Sequence, residues 1–337
     1  MQNLNTFILA IESSCDDTSC AVLHNNEVLS NVTANQKIHE QYGGVVPELA
    51  SRDHQKNILP VVDAAVKKAN ISLSQINAIA VTRGPGLMGS LLVGLNFAKS
   101  LSLSLNIPLI EVDHMQAHIM AHFIKDKDQA IPTFPFICLT VSGGHTQLVK
   151  VSDYLKFELM GQTLDDAVGE AFDKAAKIMG LPYPGGPLID KYAQQGNPNR
   201  FKFADAKIPE YNFSFSGIKT SFLYFIQKEQ NVNPNFVQEN MNDICASYQY
   251  HLIDVLIKKT KLLLKDTGIK NLTIAGGVSA NSELRKQIKV LEKEININTF
   301  IPQFDYCTDN AAMIGITAYY KFQNKQFSSL NITPFTS

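Results

Sequence analysis

Apolar and polar stretches alternate along the chain in a strand–turn–strand pattern that occurs twice. Residues 7–11 are continuously apolar, as in a strand buried on both faces, and a short polar turn separates them from the apolar residues 20–23. The same pattern recurs at residues 136–141 and 147–151, on either side of the turn 142–146. Each pattern predicts a β-hairpin. Its recurrence roughly half a chain later predicts an internal duplication.

Helical spacing of apolar residues predicts the elements around the two hairpins. Helices are predicted over 48–70, 87–105, 164–179, 216–229 and 236–268, with two more beginning near 282 and 311. Further strands are predicted over 78–81, 107–112 and 271–275. In the helix 164–179, the acids Asp165, Asp166 and Glu170 are expected in the first turns, where the helix dipole favours negative charge.

The composition is that of an ordinary globular enzyme. The chain has 337 residues, enough for two lobes with their own cores, and 45% of them are apolar and 18% charged. The net charge of -1 does not demand a nucleic-acid partner, so such a partner would need a local basic patch or a helper protein.

The cysteines and the N-terminal stretch indicate in which cellular compartment the protein works. Five scattered cysteines without a CxxC pair argue against a disulfide framework and for a reducing, cytoplasmic environment. The first residues lack the basic segment of a signal peptide. The most apolar window, 87–110, contains Asn96, Lys99 and several serines, so we expect a buried helix and no membrane span.

Two histidines four residues apart are a candidate for metal chemistry. His114 and His118 lie in a segment predicted to be helical to about Phe123, so they share one helix face and can hold one metal ion. The alternative is two unrelated surface or core histidines. His122 continues the same face, either as a third ligand or as part of a polar stripe.

Two histidines leave a metal short of ligands, so a carboxylate from elsewhere is needed. Asp309, just before the predicted helix at 311, is a candidate. The alternative is that Asp309 or Thr308 only caps that helix.

Polar and glycine-rich turns are candidates for nucleotide contacts. Gly143 and Gly144 would let a phosphate approach the backbone of the second hairpin closely. The glycine-rich stretches 83–90 and 276–281 precede helices, where free backbone N–H groups can bind an anion or a nucleoside. The first hairpin turn, 12–19, offers hydroxyl and acidic groups for a phosphate or its magnesium ion. Plain packing turns and a solvated hairpin turn are the alternatives.

Two other sets of residues each allow a binding role and a structural role. Asp173 and Asp190 flank the rigid loop predicted at 183–187 and can either hold the hydroxyl groups of a sugar or be surface acids. Arginine, lysine and phenylalanine alternate within 196–215, which suits contacts to RNA as well as aromatics tucked into a core.

The longer motifs carry a family resemblance. They are IESSCDDTS, GGVVPELASRDH, RGPGLMGSLLVG, DHMQAH, VSGGHTQL, DDAVGEAFDKAAKIMGLPYPGGP, FSFSGIKT, AGGVSANSELR and YCTDNAAMIG. Together they resemble the bacterial tRNA adenosine threonylcarbamoyltransferase family, long labelled glycoprotease or O-sialoglycoprotein endopeptidase. The resemblance runs from about residue 8 to residue 320, in the order of the family's motifs.

The resemblance implies an α/β fold of two duplicated lobes, shared with actin, hexokinase and the seventy-kilodalton chaperones, with the active site in the cleft between the lobes. We expect a first lobe of residues 1–112, completed by roughly 308–337. The second lobe is expected over 113–307, carrying the metal-binding histidines and most of the nucleotide site.

The resemblance also implies the site residues. His114, His118 and Asp309 would hold one divalent metal ion, with Fe²⁺ expected ahead of Zn²⁺, although the residues themselves do not separate the two metals. The expected contacts to the substrate's phosphate are Thr140, Val141, Ser142, Gly143 and Gly144, and those to its nucleoside are Asp173, Gly186, Asp190 and Asn281. Where the family usually has Glu-Gly between the histidines, this chain has Gln116 and Ala117, which leaves the ligands intact.

The implied reaction transfers a threonylcarbamoyl group from its adenylate to the exocyclic amine of the adenosine 3′ of the tRNA anticodon, in tRNAs that read codons starting with adenine, and releases AMP. Threonylcarbamoyl-adenylate, ATP or AMP would therefore bind the chain. Asp16 is our candidate for the general base. Expected partners are tRNA, a paralogous protein of the same fold that forms a heterodimer, and a small P-loop ATPase, with no membrane.

Two rival functions remain at this point. A metalloprotease would need a glutamate beside the first histidine as general base, and Met115 and Gln116 stand there instead. A small-molecule kinase or ATPase of the same fold would explain the turns but would leave His114, His118 and Asp309 without a role.

Overall fold

The computed structural model of the chain describes residues 5–127, 129–204 and 208–336. Within them, the strands are β1 (Phe7–Glu12), β2 (Thr18–His24), β3 (Glu27–Ala34), β4 (Ala78–Gly84), β5 (Leu109–Asp113), β6 (Phe136–Val141), β7 (Thr146–Asp153), β8 (Lys156–Gln162), β9 (Asn271–Ala275) and β10 (Asn298–Phe300). The α-helices are α1 (Pro47–Lys68), α2 (Met88–Leu105), α3 (His114–Met120), α4 (Val168–Ile178), α5 (Gly185–Ala193), α6 (Ser216–Val232), α7 (Phe236–Thr267), α8 (Ser282–Ile295) and α9 (Ala311–Gln323).

The chain divides into two compact units. The first comprises Met1–Ile131 and Pro302–Ser337, and the second comprises Pro132–Ile301. These boundaries differ from the expected ones at 112 and 307, because α3 packs against α9 and Phe123 packs edge-to-face on Tyr320 at 6.0 Å. The histidine pair therefore belongs to the first unit and not to the second.

The first unit is built on a mixed five-stranded sheet. Its strand order is β3-β2-β1-β4-β5, with β1 antiparallel to β2 and parallel to β4, and with β4 parallel to β5. Because successive side chains of a strand point to opposite faces, Leu9 and Ile11 of β1 pack in a core with α1 and α2 residues on one face. On the other face α9 contacts β1 and β2, and Leu23 of β2, which pairs with Ile8 of β1, lies against Gly315 of α9. Both faces of β1 are thus covered, as its continuous apolar run predicts.

The second unit repeats this topology. Its strand order is β10-β9-β6-β7-β8, with β6 antiparallel to β7 and parallel to β9. In both units a three-stranded meander leads, and two parallel strands are added beside its first strand. Both predicted hairpins and the internal duplication are confirmed.

One predicted helix start is wrong. The helix predicted from 164 begins at Val168, so Asp165 and Asp166 precede α4. Asp165 instead accepts hydrogen bonds at the start of α6, from Ser214 Oγ at 2.5 Å and from the backbone N–H of Phe215 at 2.8 Å. The carboxylate serves the N-terminus of a helix that is 50 residues away in sequence, which no local pattern indicates.

One helix in the described part of the chain, α2, is long and apolar enough to cross a membrane by length and composition. In the structure α2 packs on β4 and α1, and Leu91, Leu95 and Ala98 are buried there. The prediction of a buried helix holds for this face only, because 33% of the helix is buried and both Leu92 and Leu103 are exposed.

Candidate functional site

The N-cap of α3 fixes where the two histidines stand. β5 ends at Asp113, whose carboxylate accepts a hydrogen bond from the backbone N–H of Gln116 at 2.9 Å. The helix therefore starts at His114, and His118 follows one turn later on the same face. The two rings meet edge-to-face, with centroids 4.8 Å apart, and both are buried. The predicted helix continues to Phe123 as a 3-10 turn.

The start of α9 brings a carboxylate to the histidines. Asn310 caps α9, with its side-chain oxygen accepting from the N–H of Met313 at 3.1 Å and its amide donating to the Thr308 carbonyl at 2.8 Å. The expectation that Thr308 or Asp309 caps this helix is wrong. Since Asn310 caps the helix, the carboxylate of Asp309 is left to face α3.

The three predicted ligands come together within the first unit. Oδ1 of Asp309 lies 3.1 Å from Nε2 of His118 and 3.4 Å from Nε2 of His114, and the ligand atoms of all three residues lie within 4.8 Å of one another. Ligands that bind one ion at about 2.1 Å are separated by roughly 3.0 to 3.4 Å. The two distances to Asp309 match that separation, and two imidazoles with one carboxylate are a ligand set that suits Fe²⁺ or Zn²⁺ and leaves further coordination positions open. His122 is buried in the next turn and is outside this group.

The electrostatics of the group favour a cation. Burial alone would lower the pKa of His114, but the carboxylates of Asp309 and Glu12 raise it well above its ordinary value. Burial would raise the pKa of Asp309, but His114 and His118 hold it well below its usual range. The negative potential that retains a proton on His114 is the potential that would attract a metal ion in its place.

Sequence reasoning missed Glu12, the last residue of β1. Its carboxylate is buried, and Oε2 lies 3.1 Å from Nδ1 of His114. Ser14 Oγ lies 3.2 Å from the same ring nitrogen. One signal was available in the sequence, because Glu12 directly continues a fully apolar strand. An acid that is buried there needs a partner, since acids are almost never fully buried unless they are paired. The parallel pairing of β1, β4 and β5, which brings this acid beside His114, is not visible in the sequence.

The first hairpin turn carries Asp16, our candidate base, half-buried beside Asp17. Asn35 donates a hydrogen bond to the Asp17 carboxylate at 2.7 Å. Burial, and then the neighbouring charge of Asp16, raise the pKa of Asp17 to about 7. The turn therefore offers two acids with different environments, and the assignment of the base to Asp16 stays a prediction.

The glycine-rich stretch after β4 packs against this turn. The backbone N–H of Leu87 donates to the Ser14 carbonyl at 2.7 Å. A Cβ on Gly86 would lie 2.5 Å from the same carbonyl oxygen, so this position requires glycine for packing. Ser90 Oγ donates to the Cys15 carbonyl at 2.9 Å. The packing alternative accounts for Gly86, and this stretch holds the first hairpin turn at Ser14 and Cys15.

In the second unit, the turn 142–146 after β6 exposes its backbone to solvent. Gly143 and Gly144 are exposed, and a Cβ on either would touch nothing within 4 Å. Behind the turn, a Cβ on Gly169 of α4 would lie 2.5 Å from the Ser142 carbonyl oxygen, so the N-terminus of α4 packs directly on the turn. Free backbone N–H groups beside a helix N-terminus can bind phosphate. The predicted residues Thr140 and Val141 are fully buried in β6, so only the turn itself is exposed.

Asp173 organises the start of α5. Its Oδ1 accepts from the backbone N–H of Gly185 at 2.8 Å and of Gly186 at 3.2 Å, and burial raises the pKa of this carboxyl. The loop predicted at 183–187 is thus helical from Gly185 onward. Asp173 and Gly186, both predicted to bind the nucleoside, do lie together.

Asp190 and Asn281 are joined by a residue that sequence reasoning missed. The side-chain amide of Gln249 donates to Asp190 at 3.0 Å, while its oxygen accepts from Asn281 at 2.7 Å. Ser282 Oγ also donates to Asp190, at 2.6 Å. Gln249 lies in the middle of α7, and nothing in the local pattern separates it from the other polar residues of that helix.

The aromatic residues of 196–215 pack inward. Phe203, Phe213 and Phe215 are buried in the core of the second unit. Arg200 pairs with Asp243 at 2.9 Å and lies over the ring of Phe201. The core-packing alternative is therefore confirmed for these aromatics.

Comparisons with known proteins agree with this architecture. Residues 27–316 match the family model TsaD: tRNA N6-adenosine threonylcarbamoyltransferase. A protein of that name from Christiangramia forsetii is 63% identical over 97% of this chain and 96% of its own length. Further proteins of that name, from Cytophaga hutchinsonii and Clostridioides difficile, are 56% and 49% identical over 99% and 97% of this chain, and over 96% of their own lengths in both cases.

Two solved structures of low sequence identity share the fold. The activator of the 2-hydroxyisocaproyl-CoA dehydratase from Clostridium difficile with bound ADPNP is 15% identical and has a TM-score of 0.52, over 97% of this chain and all of that one. Full-length HypF in its phosphate- and nucleotide-bound form is 13% identical, with a TM-score of 0.62 over 97% of this chain and 48% of that one. The predicted fold, an α/β architecture of two duplicated units, is confirmed. From the family model and the close relatives together, the chain belongs to the tRNA N6-adenosine threonylcarbamoyltransferase family.

Proposed function

We propose that this chain transfers the threonylcarbamoyl group of threonylcarbamoyl-adenylate to N6 of the adenosine 3′ of the tRNA anticodon, in tRNAs that read codons starting with adenine, and releases AMP. Family membership over nearly the whole chain is the observation that carries the proposal. Each unit by itself has one feature that supports the proposal. The first holds a ligand set for a cation, and the second has exposed glycine backbone suited to a phosphate.

The nucleotide end of the donor is assigned to the second unit. The N–H groups of Gly143 and Gly144, beside the N-terminus of α4, would hold the phosphate and stabilise the charge that grows on it as AMP leaves. The carboxylates of Asp173 and Asp190, with Gly186 and Asn281, would bind the nucleoside. Their existing hydrogen bonds to helix N-termini and to Gln249 fix these groups before the ligand arrives.

The cation is assigned to His114, His118 and Asp309. When bound, it would supply Lewis-acid chemistry to an oxygen of the donor. Fe²⁺ ahead of Zn²⁺ is carried over from the family resemblance, and the two imidazoles and one carboxylate suit both.

The attack itself needs a proton to leave the adenine amine. The nitrogen forms a bond to the carbamoyl carbon, the bond from that carbon to the phosphate oxygen breaks, and AMP departs with the electron pair. Asp16, on the half-buried turn between β1 and β2, is proposed to accept the proton. The packing of Leu87 and Ser90 on this turn keeps it rigid.

The rival functions are not favoured. Met115 and Gln116 stand where a metalloprotease would carry its glutamate base, and Gln116 uses its backbone N–H for the cap of α3. A kinase or ATPase on this fold would leave the cluster of His114, His118 and Asp309 without a purpose.

Partners and location are proposed from the family resemblance. We propose that the chain works with tRNA, with a paralogous protein of the same fold as a heterodimer, and with a small P-loop ATPase. We also propose a cytoplasmic location, which suits five cysteines that are all free thiols.

Depleting the protein from its own cells tests the proposed function. Nucleosides from total tRNA would be separated and weighed by mass spectrometry, before and after depletion, with re-expression of the wild-type chain as the control. The expected result is loss of threonylcarbamoyladenosine and recovery on re-expression. An unchanged amount of the modified nucleoside after complete depletion would contradict the proposal.

A further inference from the structure

We propose that Glu12 is the positioning residue of the metal centre. It holds His114 as an Nε2 ligand and supplies the second negative charge that balances a divalent cation. The inference rests on the proposed metal centre, and it does not depend on which group the enzyme transfers.

Glu12 fixes the tautomer of His114. A carboxylate can only accept a hydrogen bond, and Oε2 of Glu12 lies 3.1 Å from Nδ1 of His114. Nδ1 must therefore carry a hydrogen, which leaves the lone pair of a neutral ring on Nε2. Nε2 is the atom that faces Asp309, at 3.4 Å. Glu12 thus selects the ring nitrogen that is aimed at the cation.

Glu12 cannot turn away from His114, because both of its carboxylate oxygens accept further hydrogen bonds. Thr82 Oγ1 donates to its Oε2 at 2.5 Å, and the backbone N–H of Ser14 donates to its Oε1 at 2.5 Å. Both donors are buried, and Thr82 lies on β4, the strand that pairs with β1. A carboxylate that is held at both oxygens has one orientation. Because the His114 ring donates a hydrogen bond to this carboxylate, the orientation of the ring is fixed as well.

The buried negative charge of Glu12 also favours a cation at this centre. Glu12 is 1% exposed, and a buried carboxylate is costly unless positive charge lies close to it. With neutral imidazoles, Glu12 and Asp309 together carry two negative charges, which a divalent cation would neutralise. Because Glu12 contacts Nδ1, on the far side of the ring from Asp309, it acts through His114 and not as a ligand.

The direct experiment compares metal affinity in the full-length Glu12→Gln variant and in wild type, by calorimetric titration of the metal-free proteins with Zn²⁺ alone. Glutamine keeps the shape but removes the charge. We expect one site per chain, bound about 10- to 100-fold more weakly in the variant. Glu27→Gln is the matched control: it removes one carboxylate of the first unit that is exposed and pairs with Lys125. It should bind as wild type does.

Two further measurements separate positioning from a merely structural role. The visible absorption bands of bound Co²⁺ report the ligand field, and they should shift in Glu12→Gln but not in Glu27→Gln. In a double-mutant cycle, Glu12→Gln should cost affinity in wild type and nothing further in a His114→Ala background. If Glu12→Gln does not fold, Thr82→Val removes only the hydrogen bond from Thr82 to the Glu12 carboxylate. A shifted Co²⁺ spectrum is then the expected result.

The outcomes distinguish the inference from the metal centre on which it rests. If wild type binds Zn²⁺ and the folded Glu12→Gln variant binds it within about twofold of wild type with an unchanged Co²⁺ spectrum, the role of Glu12 is refuted and the metal centre stands. An unchanged spectrum in Thr82→Val refutes it equally where only that variant folds. If wild type itself binds neither ion, both proposals fall.

Discussion

The carboxylate of Glu12 lies 3.1 Å from Nδ1 of His114, although 102 positions separate the two residues in the sequence. The sheet of the first unit accounts for this contact. β1, β4 and β5 run parallel, so Glu12, Thr82 and Asp113 stand at the same edge, and His114 follows Asp113 directly. The candidate metal centre is therefore a product of strand order as much as of the HxxxH spacing.

Removing the carboxylate ligand should abolish stabilisation by metal. A ligand that binds only the folded state at 100 times its dissociation constant stabilises that state by about 2.7 kcal/mol. We expect Zn²⁺ to raise the melting temperature of wild type and to leave that of Asp309→Asn unchanged. Differential scanning fluorimetry of metal-free protein, with and without Zn²⁺, measures this.

Asp305→Asn is the matched control for that experiment, because Asp305 is an exposed acid four residues earlier in the same segment. It should respond to Zn²⁺ as wild type does. Equal responses in Asp309→Asn and wild type would remove Asp309 from the ligand set.

A single added methyl group should weaken phosphate binding at the turn 142–146. In Gly169→Ala the new Cβ would lie 2.5 Å from the Ser142 carbonyl oxygen and 2.8 Å from Cα of Gly143, so the turn must move. Overpacking of this kind costs about 1 to 3 kcal/mol. We expect AMP to bind at least about tenfold more weakly, as measured by calorimetry.

The control is Gly217→Ala, at the same second position of its own helix, α6, where a Cβ would meet nothing within 4 Å. AMP should bind this variant as it binds wild type. If Gly169→Ala also binds AMP normally, the turn at 142–146 is not the phosphate site.

Asp165 should stabilise the start of α6 in a pH-dependent way. Burial would raise its pKa, but hydrogen bonds from Ser214, Ser216 and Phe215 outweigh that effect and lower it. A carboxyl group whose pKa is lower in the folded state stabilises the fold above its unfolded value and loses that contribution as the pH falls through the folded value. A negative charge at a helix N-terminus is worth about 0.3 to 1 kcal/mol. In Asp165→Asn we therefore expect the amides of Phe215 and Ser216 to exchange hydrogen about two- to fivefold faster at neutral pH.

The difference between Asp165→Asn and wild type should shrink below about pH 4. Glu158→Gln, which removes an exposed partner of Lys150 in the same unit, serves as the control and should leave these two amides unaffected. A difference that grows on acidification would contradict the assigned direction of the pKa.

Peptide hydrolysis should be absent. Without a glutamate next to His114, no residue of the helix can activate a metal-bound water as metalloproteases do. We expect the metal-loaded protein to cleave unstructured casein no faster than His114→Ala prepared in parallel. Chelator-sensitive cleavage by wild type alone would revive the protease hypothesis.

The local parts of the fold could be predicted from the sequence. The β1–β2 and β6–β7 hairpins follow from apolar runs around polar turns, and α3 lies in the segment that the sequence predicts to be helical. These features depend on neighbours within a few residues, which a sequence displays directly. The sequence offers Asp309 as a candidate third ligand, the family resemblance selects it, and the structure brings it to the histidines.

The contacts that sequence reasoning missed all connect distant segments. Asp165 reaches α6, and Gln249 reaches Asp190 and Asn281 from the middle of α7. Helix propensity places a polar residue on a helix but does not say which neighbour it will meet. Glu12 is the clearest case, since its role depends on the order of strands within a sheet.

Metal-dependent transfer to tRNA can be measured in one reconstituted reaction. Metal-loaded wild type and His114→Ala would each be incubated with threonylcarbamoyl-adenylate, the proposed partner proteins and a tRNA that reads codons starting with adenine. Mass spectrometry of the tRNA nucleosides would then quantify the product. We predict threonylcarbamoyladenosine with wild type and at least about 100-fold less with a correctly folded His114→Ala. Undiminished product from His114→Ala with no metal bound would contradict the account.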